Sequence, residues 1–500
     1  MKSSVLFFKS GSGNYAFDGN SSVIFAVDDI MMDCIKEYEK DTNFELMQEE
    51  IYKKYGKSRK TKAAINFFKE FSKIKKNVFL SIDKQEAMLK GTGIFDKKLI
   101  KHMQESGTLY QLILNVTENC NMRCKYCFLS EEYMYTRNRT SSMMNFETAK
   151  KAMDIFFKKQ KVVRKVNPGK MVAITFYGGE PLLNFSLIQK CVDYVKKNCP
   201  VKYRFYTTTN GLLLKDDVVD FLVKNEFDIT VSIDGNCFEH DRNRVDSKNF
   251  GTFDRIMKNI DLLLKKYPEY LEKLHVSGVY DLKTDLISNT RFWEDQKSLN
   301  LAMLNPVNST NTNYYQQFNE EDINRFGENY IKLAMEYVNK KINRKEMSGY
   351  MAALFNPLVF MIFKRLGPGD LKIPFLPYTS SCVPGSKVSV RTDGTFDICE
   401  KINSTFPVGN IEKEWDYNKL YELVELYNSR VGEKCKECPI SRYCNMCFAF
   451  CCTDHDFKVE NCDSIIGGFI DALSMYVCIL EGNKNALDDL VFEETMLVNG

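Results

Sequence analysis

Net charge, long apolar runs, histidine and low-complexity sequence are all scarce in this chain of 500 residues. Basic and acidic residues number 69 and 66, and the resulting balance of +3 argues against nucleic acid as the main partner. No apolar run is expected to reach membrane-spanning length, and the N-terminal "MKSSVLFFKSGSGNYAFDG" has too short an apolar core for a secretory signal. A cytoplasmic protein with no membrane partner is therefore expected. The lack of repeats excludes a fibrous array, and 44% hydrophobic residues exclude a disordered chain and suffice for a large core spread over several domains.

Cysteine is the residue in unusual supply, with seventeen copies. In a small secreted domain such a number would imply disulfides; in a large cytoplasmic chain, clustered spacing reads as metal ligation by reduced thiols. The stretch "NVTENCNMRCKYCFL" places Cys120, Cys124 and Cys127 within eight positions, directly after the apolar run "LYQLILNV". A structural zinc site usually takes four protein ligands in two pairs, and disulfides pair their cysteines, so three thiols fit neither scheme well. Three thiolates do suit a [4Fe-4S] cube with one iron left free to chelate the amino and carboxylate groups of S-adenosylmethionine.

Hydrophobic periodicity divides the chain into an α/β arrangement of four regions. Residues 1–90 open with short strands in "SVLFFKS", "NYAFDG" and "SSVIFAV", followed by helices in "DIMMDCIKEYEKD", "FELMQEEIYKKYG" and "KTKAAINFFKEFSKIK". This is the outline of a winged-helix-like module. Across 105–310, six apolar runs alternate with amphipathic helical stretches: "YQLILNV", "VAITFYGG", "YRFYTTTNG", "DITVSIDG", "LHVSGVYD" and "LAMLNPV". They predict a parallel sheet curled into a partial (β/α)6 TIM-like barrel, with ligands at the C-terminal strand ends. A helical bridge is expected over 311–378 and a cysteine-rich domain over 379–480; ten of the seventeen cysteines lie beyond residue 380.

"CNMRCKYC" resembles the radical SAM superfamily signature C-x3-C-x-aromatic-C, with Tyr126 in the aromatic position. That resemblance makes Cys120, Cys124 and Cys127 cluster ligands and places the "FYGGEP" residues Gly178, Gly179, Glu180 and Pro181 near the methionine amino group. Read without it, "FYGGEP" is a strand-to-helix turn. "TTTNG" and "VSIDG" fall where the family has further cofactor contacts, which implicates Asn210, Ser232 and Asp234. In "HDRNR", Arg244 matches the arginine that pairs with the methionine carboxylate, a task suited to a planar guanidinium; a surface salt bridge is the alternative. His240 and Asp241 lie side by side in a chain with only four histidines, and are read as a local hydrogen-bonded loop feature rather than an acid–base pair.

The cysteine-rich region resembles the SPASM extension of radical SAM peptide-modifying enzymes. Cys382, Gly394 and Cys399 follow its first half, and Cys435, Cys438 and Cys444 its C-x2-C-x5-C portion. Cys447 departs from the pattern, following Cys444 with two intervening residues where the family has three, so Cys447, Cys451 and Cys452 compete for one role. The resemblance implies an outer auxiliary [4Fe-4S] cluster on Cys435, Cys438, Cys444 and Cys462, and an inner one on Cys382, Cys399 and Cys447, three clusters in all. Two zinc sites are the competing reading, because C-x2-C knuckles commonly bind zinc. Cys34, Cys191, Cys199, Cys237 and Cys478 are assigned to packing.

The expected activity is that of a radical SAM maturase. It would join cysteine sulfur to carbon in a short cysteine-rich precursor peptide, whose leader is held by the N-terminal module beside the "SSVIFAV" strand and the helix "KTKAAINFFKEFSKIK". An electron donor such as flavodoxin or ferredoxin is the other expected partner. One alternative is oxidation of a Ser or Cys in a sulfatase, by analogy with sulfatase-maturating enzymes; their general base lies beside an auxiliary-cluster ligand, as Glu400 does here. An iron–sulfur regulator using its winged helix on DNA is an alternative of another class.

Overall fold

The computed structural model describes residues 5–11, 13–19, 22–41, 43–78, 97–296, 299–365, 382–435, 438–441, 443–444 and 446–488. The ends of the expected first module (79–90) and of the expected bridge (366–378) lie outside them. The chain opens with β1 (Val5–Ser10), β2 (Gly13–Asp18) and β3 (Val23–Val27), an antiparallel sheet in that order. Three helices follow, α1 (Asp29–Asp41), α2 (Phe44–Tyr55) and α3 (Arg59–Val78), as the sequence predicts. Asn43 starts α2 by accepting from the backbone N–H groups of Glu45 and Leu46. Buried Ile30, Ile35, Met47, Ile51, Ile65 and Phe68 give this unit its own core.

The six runs expected in the barrel are six strands: β4 (Gln111–Thr117), β5 (Met171–Gly178), β6 (Lys202–Thr209), β7 (Asp228–Ser232), β8 (Leu274–Tyr280) and β9 (Asn300–Pro306). They pair in parallel, in chain order. The crossovers include α5 (Phe146–Val166), α6 (Phe185–Asn198), α7 (Asp216–Lys224), the short α8 (Cys237–Asn243), α9 (Phe253–Lys266) and α10 (Leu286–Asp295); a helix α4 (Lys97–Glu105), which the sequence reading did not anticipate, precedes β4. Residues Leu112 to Thr117 of β4 are all buried, the mark of a parallel strand covered on both faces. All six strand C-termini therefore open onto one rim.

Within the span expected for the bridge lie α11 (Glu320–Ile342), started by an Asn319–Asp322 capping box, and α12 (Gly349–Phe363). Beyond it the sheet resumes. The hairpin of β10 (Lys387–Val390) and β11 (Thr395–Asp397) sets β10 parallel to β4, and β12 (Gly409–Asn410) and β13 (Glu414–Trp415) continue outward to ten strands. Buried Asn115 of β4 ties this joint by donating to Ser389 Oγ at 2.7 Å and to the Val390 carbonyl at 3.1 Å. One sheet thus runs through the boundary expected near 379. The longer helices that follow among the described residues are α13 (Tyr417–Tyr427) and α14 (Cys462–Gly482).

Helix α14 corrects one expectation, since its 21 residues are long and apolar enough to cross a membrane by length and composition. In the sequence Asp463 and Asp471 interrupt the apolar string, so no continuous run of that length is visible. Its buried residues, including Phe469, Leu473, Tyr476 and Ile479, belong to the main core. Phe469 meets Phe17 of β2 edge-to-face at 5.2 Å, and Ser10 donates to the Ser474 carbonyl at 2.9 Å. Arg365 donates to the Ser22 carbonyl at 2.9 Å, and Tyr443 bonds Ser22. A Cβ built on Gly19 would lie 2.0 Å from the Pro439 carbonyl oxygen, a distance no side chain tolerates. The N-terminal module is therefore seated on the cysteine-rich region. Gly19→Ala is expected to destabilise the protein by about 1–3 kcal/mol, as overpacking against backbone does. Thermal denaturation reads this as a lowered midpoint, and an unchanged midpoint would contradict the docking.

Candidate active site at the strand ends

The loop leaving β4 carries Cys120, Cys124 and Cys127, and two neighbours fix its path. The backbone N–H groups of Arg123 and Lys125 donate to the carbonyls of Val245 and Asn243, at 2.7 and 3.0 Å, which sews the loop to the segment after α8. On the other side stands the turn after β5, where the N–H groups of Gly179 and Glu180 donate to the carbonyls of Thr117 and Asn119, both at 2.9 Å. Gly178 has φ +140°, and a Cβ there would lie 2.1 Å from the Thr117 oxygen; one on Gly179 would lie 2.3 Å from the Asn119 oxygen. The two glycines are thus required by contact with the cysteine loop itself.

Glu180 is fully buried, and burial pushes its carboxyl up against the lowering by its donors. It accepts from the Leu182 N–H at 3.1 Å, Thr209 Oγ1 at 2.8 Å and the Asn210 N–H at 2.8 Å, which locks the end of β5 to the end of β6. Pro181 follows as the first residue of a short 3-10 turn. Asn210 donates to Asn121 Oδ1 at 2.7 Å, and the same amide stands 3.9 Å from Cys120 Sγ. Ser232 ends β7 opposite Ser277, half-buried.

Three expected site residues form one chain. The Tyr126 hydroxyl donates to Asp234 Oδ2 and accepts from Arg244 Nη1 at 2.9 Å. Burial pushes the Asp234 carboxyl up, against the lowering by Arg244 and Tyr126. Burial also opposes the Arg244 charge, but Cys124, Tyr126 and Asp234 outweigh it and hold the guanidinium protonated. Arg244 Nε is buried without a hydrogen-bond partner among the described residues, so a buried donor remains unspent. The other arginine of "HDRNR" is fully used: Arg242 binds Asp281 through two hydrogen bonds at 2.8 and 2.9 Å and Glu239 at 2.9 Å. Tyr314 and Asn243 also bond Asp281, at 2.6 and 3.1 Å. Nothing in the sequence announces this network, because its members are far apart along the chain. His240 and Asp241 shape the same loop, as expected: His240 Nε2 bonds Thr252 at 3.0 Å, and Asp241 accepts from the N–H groups of Thr252 and Phe253.

Burial pushes the Cys120 thiol up to about 11 and the Cys124 thiol up to about 12, and raises Cys127 as well. Thiols in such a place give up their protons only to a cation that takes the charge, which iron supplies. Among the described residues, no three His, Cys, Asp or Glu side chains converge on a single ion. A cubane takes each thiolate on its own iron, so its ligands stand around the cube. The half-buried thiols, the unspent Arg244 donor and the close-packed glycine turn fit such a group with S-adenosylmethionine beside it.

The C-terminal cysteines fall into two neighbourhoods. Cys435 interacts electrostatically with Cys438, Cys444 and Cys462, which are the thiols expected to form the outer set. Cys447 interacts with Cys382, and Lys401 with both Cys399 and Cys447, so the three expected inner thiols gather around common neighbours. Cys451 is buried beside Cys447, Cys444 and Cys435, whereas Cys452 stands near Asp397 and accepts from the Asn403 N–H. Burial pushes the Glu400 carboxyl up, but Lys387 and Lys401 outweigh it and hold it below the usual value. Glu400 is therefore an ionised group at neutral pH.

Residues 114–279 match the family model of the Radical SAM superfamily. The chain is 24% identical over 292 residues to the radical SAM cyclopropyl synthase TigE of Paramaledivibacter caminithermalis, a match covering 55% of this chain and 59% of that one. It is 24% identical over 356 residues to a cysteine-type anaerobic sulfatase-maturating enzyme of Clostridium perfringens (strain ATCC 13124), covering 67% of this chain and 86% of the relative. The chain spans 38%, 59% and 58% of the length of the first three curated relatives it matches. The solved structure of native anSMEcpe with bound AdoMet shares the fold, with a TM-score of 0.54 and 20% identity over 75% of this chain and 99% of that one.

Arg242→Met should leave Asp281 buried with its main counter-ion gone, at a cost of about 3–5 kcal/mol. Burial raises the Asp281 carboxyl, but Arg242, Tyr314 and Asn243 outweigh it and hold it below its ordinary 3.8. The stabilisation is thus complete above that pH and is lost as pH falls through the lower folded value. Chemical denaturation at neutral pH and near pH 3 checks both parts; an equal loss at the two pH values would contradict the pairing. On the strength of its sequence match and strand-end geometry, the chain carries a radical SAM domain, with a radical SAM cyclopropyl synthase and sulfatase-maturating enzymes among its relatives.

Proposed function

We propose that this protein is a radical SAM maturase that oxidatively modifies a cysteine-bearing peptide, with sulfur-to-carbon thioether formation as the first reading. One observation carries the proposal: the cysteine loop, the Gly178–Pro181 turn and Arg244, from three separate strand ends, are held together by direct hydrogen bonds. When bound at Cys120, Cys124 and Cys127, a [4Fe-4S] cluster with S-adenosylmethionine supplies a 5'-deoxyadenosyl radical that removes a hydrogen atom from the substrate.

The residues divide the remaining work. Arg244, charged and with Nε unspent, holds the methionine carboxylate, and Tyr126 and Asp234 fix its orientation. The turn at Gly178 and Gly179 keeps backbone within reach of the amino group, and Glu180 rigidifies it through Thr209 and Asn210. Ser232 borders the same rim. Cys435, Cys438, Cys444 and Cys462 would hold an outer auxiliary cluster, and Cys382, Cys399 and Cys447 an inner one, which would supply a site for the electron left when the new bond forms. The winged-helix-like N-terminal module binds the leader of the precursor, and flavodoxin or ferredoxin provides reducing electrons.

Formylglycine formation in a sulfatase is the second reading, favoured by the cysteine-type sulfatase-maturating relatives and by an ionised Glu400 within 3.4 Å of Cys399 Sγ. The two readings differ in the fate of sulfur. A thioether keeps it and loses two hydrogens, whereas conversion of cysteine to formylglycine expels it.

Anaerobic reconstitution should give about twelve irons per chain and reductant-dependent 5'-deoxyadenosine, and replacing Cys120, Cys124 and Cys127 by Ala should remove about four irons and all cofactor cleavage. Persistent cleavage in that variant would refute the site. Mass spectrometry after incubation with a cysteine-rich peptide encoded beside the gene, and separately with a cysteine-bearing sulfatase peptide, decides between the products.

A further inference from the structure

The expected inner and outer thiol sets have different charged surroundings. Lys387 of β10 is only 4% exposed, and its Nζ lies 3.9 Å from Glu400 Oε2. Cys399 Sγ lies 3.4 Å from that same oxygen, which places lysine, carboxylate and sulfur side by side. The Lys387 ammonium also acts on Cys382, and the Lys401 ammonium on Cys399 and Cys447. Beside the outer set, the cation among the described residues that acts on Cys435 is Lys434, which is exposed and donates to the Val459 carbonyl at 2.7 Å.

A cluster gains one negative charge on reduction. A buried ammonium nearby stabilises the reduced state strongly, while an exposed one is screened by water and salt. We propose that Lys387, supported by Lys401, raises the reduction potential of the cluster that Cys382, Cys399 and Cys447 would hold, and so favours electron transfer into it over transfer into the outer one. The inference rests on the maturase reading above. For thioether formation the step balances: a C–H and an S–H bond break and a C–S bond forms. The hydrogen atom leaves to the deoxyadenosyl radical, a proton leaves to solvent, and one electron enters the inner cluster. Glu400 acts in the opposite sense, since its carboxylate disfavours the added charge.

The test is a redox titration of full-length reconstituted protein followed by electron paramagnetic resonance, with iron content measured alongside. Lys387→Met should lower the midpoint of the inner cluster and Glu400→Gln should raise it. Lys387→Arg should hold it near wild type, and Lys434→Met should leave it unmoved. Lys387→Met protein with full iron and an unshifted midpoint overturns the proposal alone. If Lys387→Met fails to load the cluster, Glu400→Gln decides: an upward shift supports the proposal and no shift overturns it. Wild-type protein without a third cluster overturns both the inner thiol assignment and the proposal.

Discussion

The contact between the end of β5 and the backbone of the cysteine loop constrains everything else at the rim. With a Cβ excluded at Gly178 and Gly179 by carbonyl oxygens 2.1 and 2.3 Å away, the turn and the loop can only close-pack as bare backbone. Closing it this way leaves Glu180 buried, and that carboxylate is tolerated because three donors from β6 and its own turn satisfy it. The same closure brings Asn210 to the side of Cys120. A loop that is floppy in most contexts is in this way given one path, and its three thiols a fixed setting.

The two arginines beside that setting are used differently. Arg242 is absorbed by Asp281 and Glu239 and serves to hold α8 against β8. Arg244, two residues on, is buried with less than its full complement of acceptors, and its charge is sustained by Tyr126, Asp234 and Cys124. Burying a guanidinium without spending all its donors is costly unless a ligand completes it. Under the proposed function the unspent Arg244 donor is the one that meets an anion, while the donors of Arg242 are already taken within the protein.

Much of this was legible in the sequence. Six parallel strands could be read because each is a short apolar run separated from the next by an amphipathic helical stretch, and the cysteine loop because its spacing is local. The joining of β10 to β4 could not, because "KVSV" is short and alternating, and its partner lies more than 270 residues away. Seating of the N-terminal module on the cysteine-rich region was hidden for the same reason: Gly19 and Pro439 meet only in the fold, and nothing near either residue signals it. Choosing Arg244 over Arg242 depended on resemblance, and the physical ground for it is a difference in hydrogen bonding that spacing cannot express.

The central claim is that Cys120, Cys124 and Cys127 hold a cluster whose open iron meets S-adenosylmethionine beside Arg244. It is tested most directly by electron paramagnetic resonance of the reduced protein, with the C-terminal cysteines Cys435, Cys438, Cys444, Cys382, Cys399 and Cys447 replaced so that one cluster remains. Adding S-adenosylmethionine should shift the g-values of that cluster, and Arg244→Met should greatly weaken the concentration dependence of the shift. A spectrum indifferent to the cofactor, or a shift as tight in the Arg244→Met protein as without it, would contradict the account.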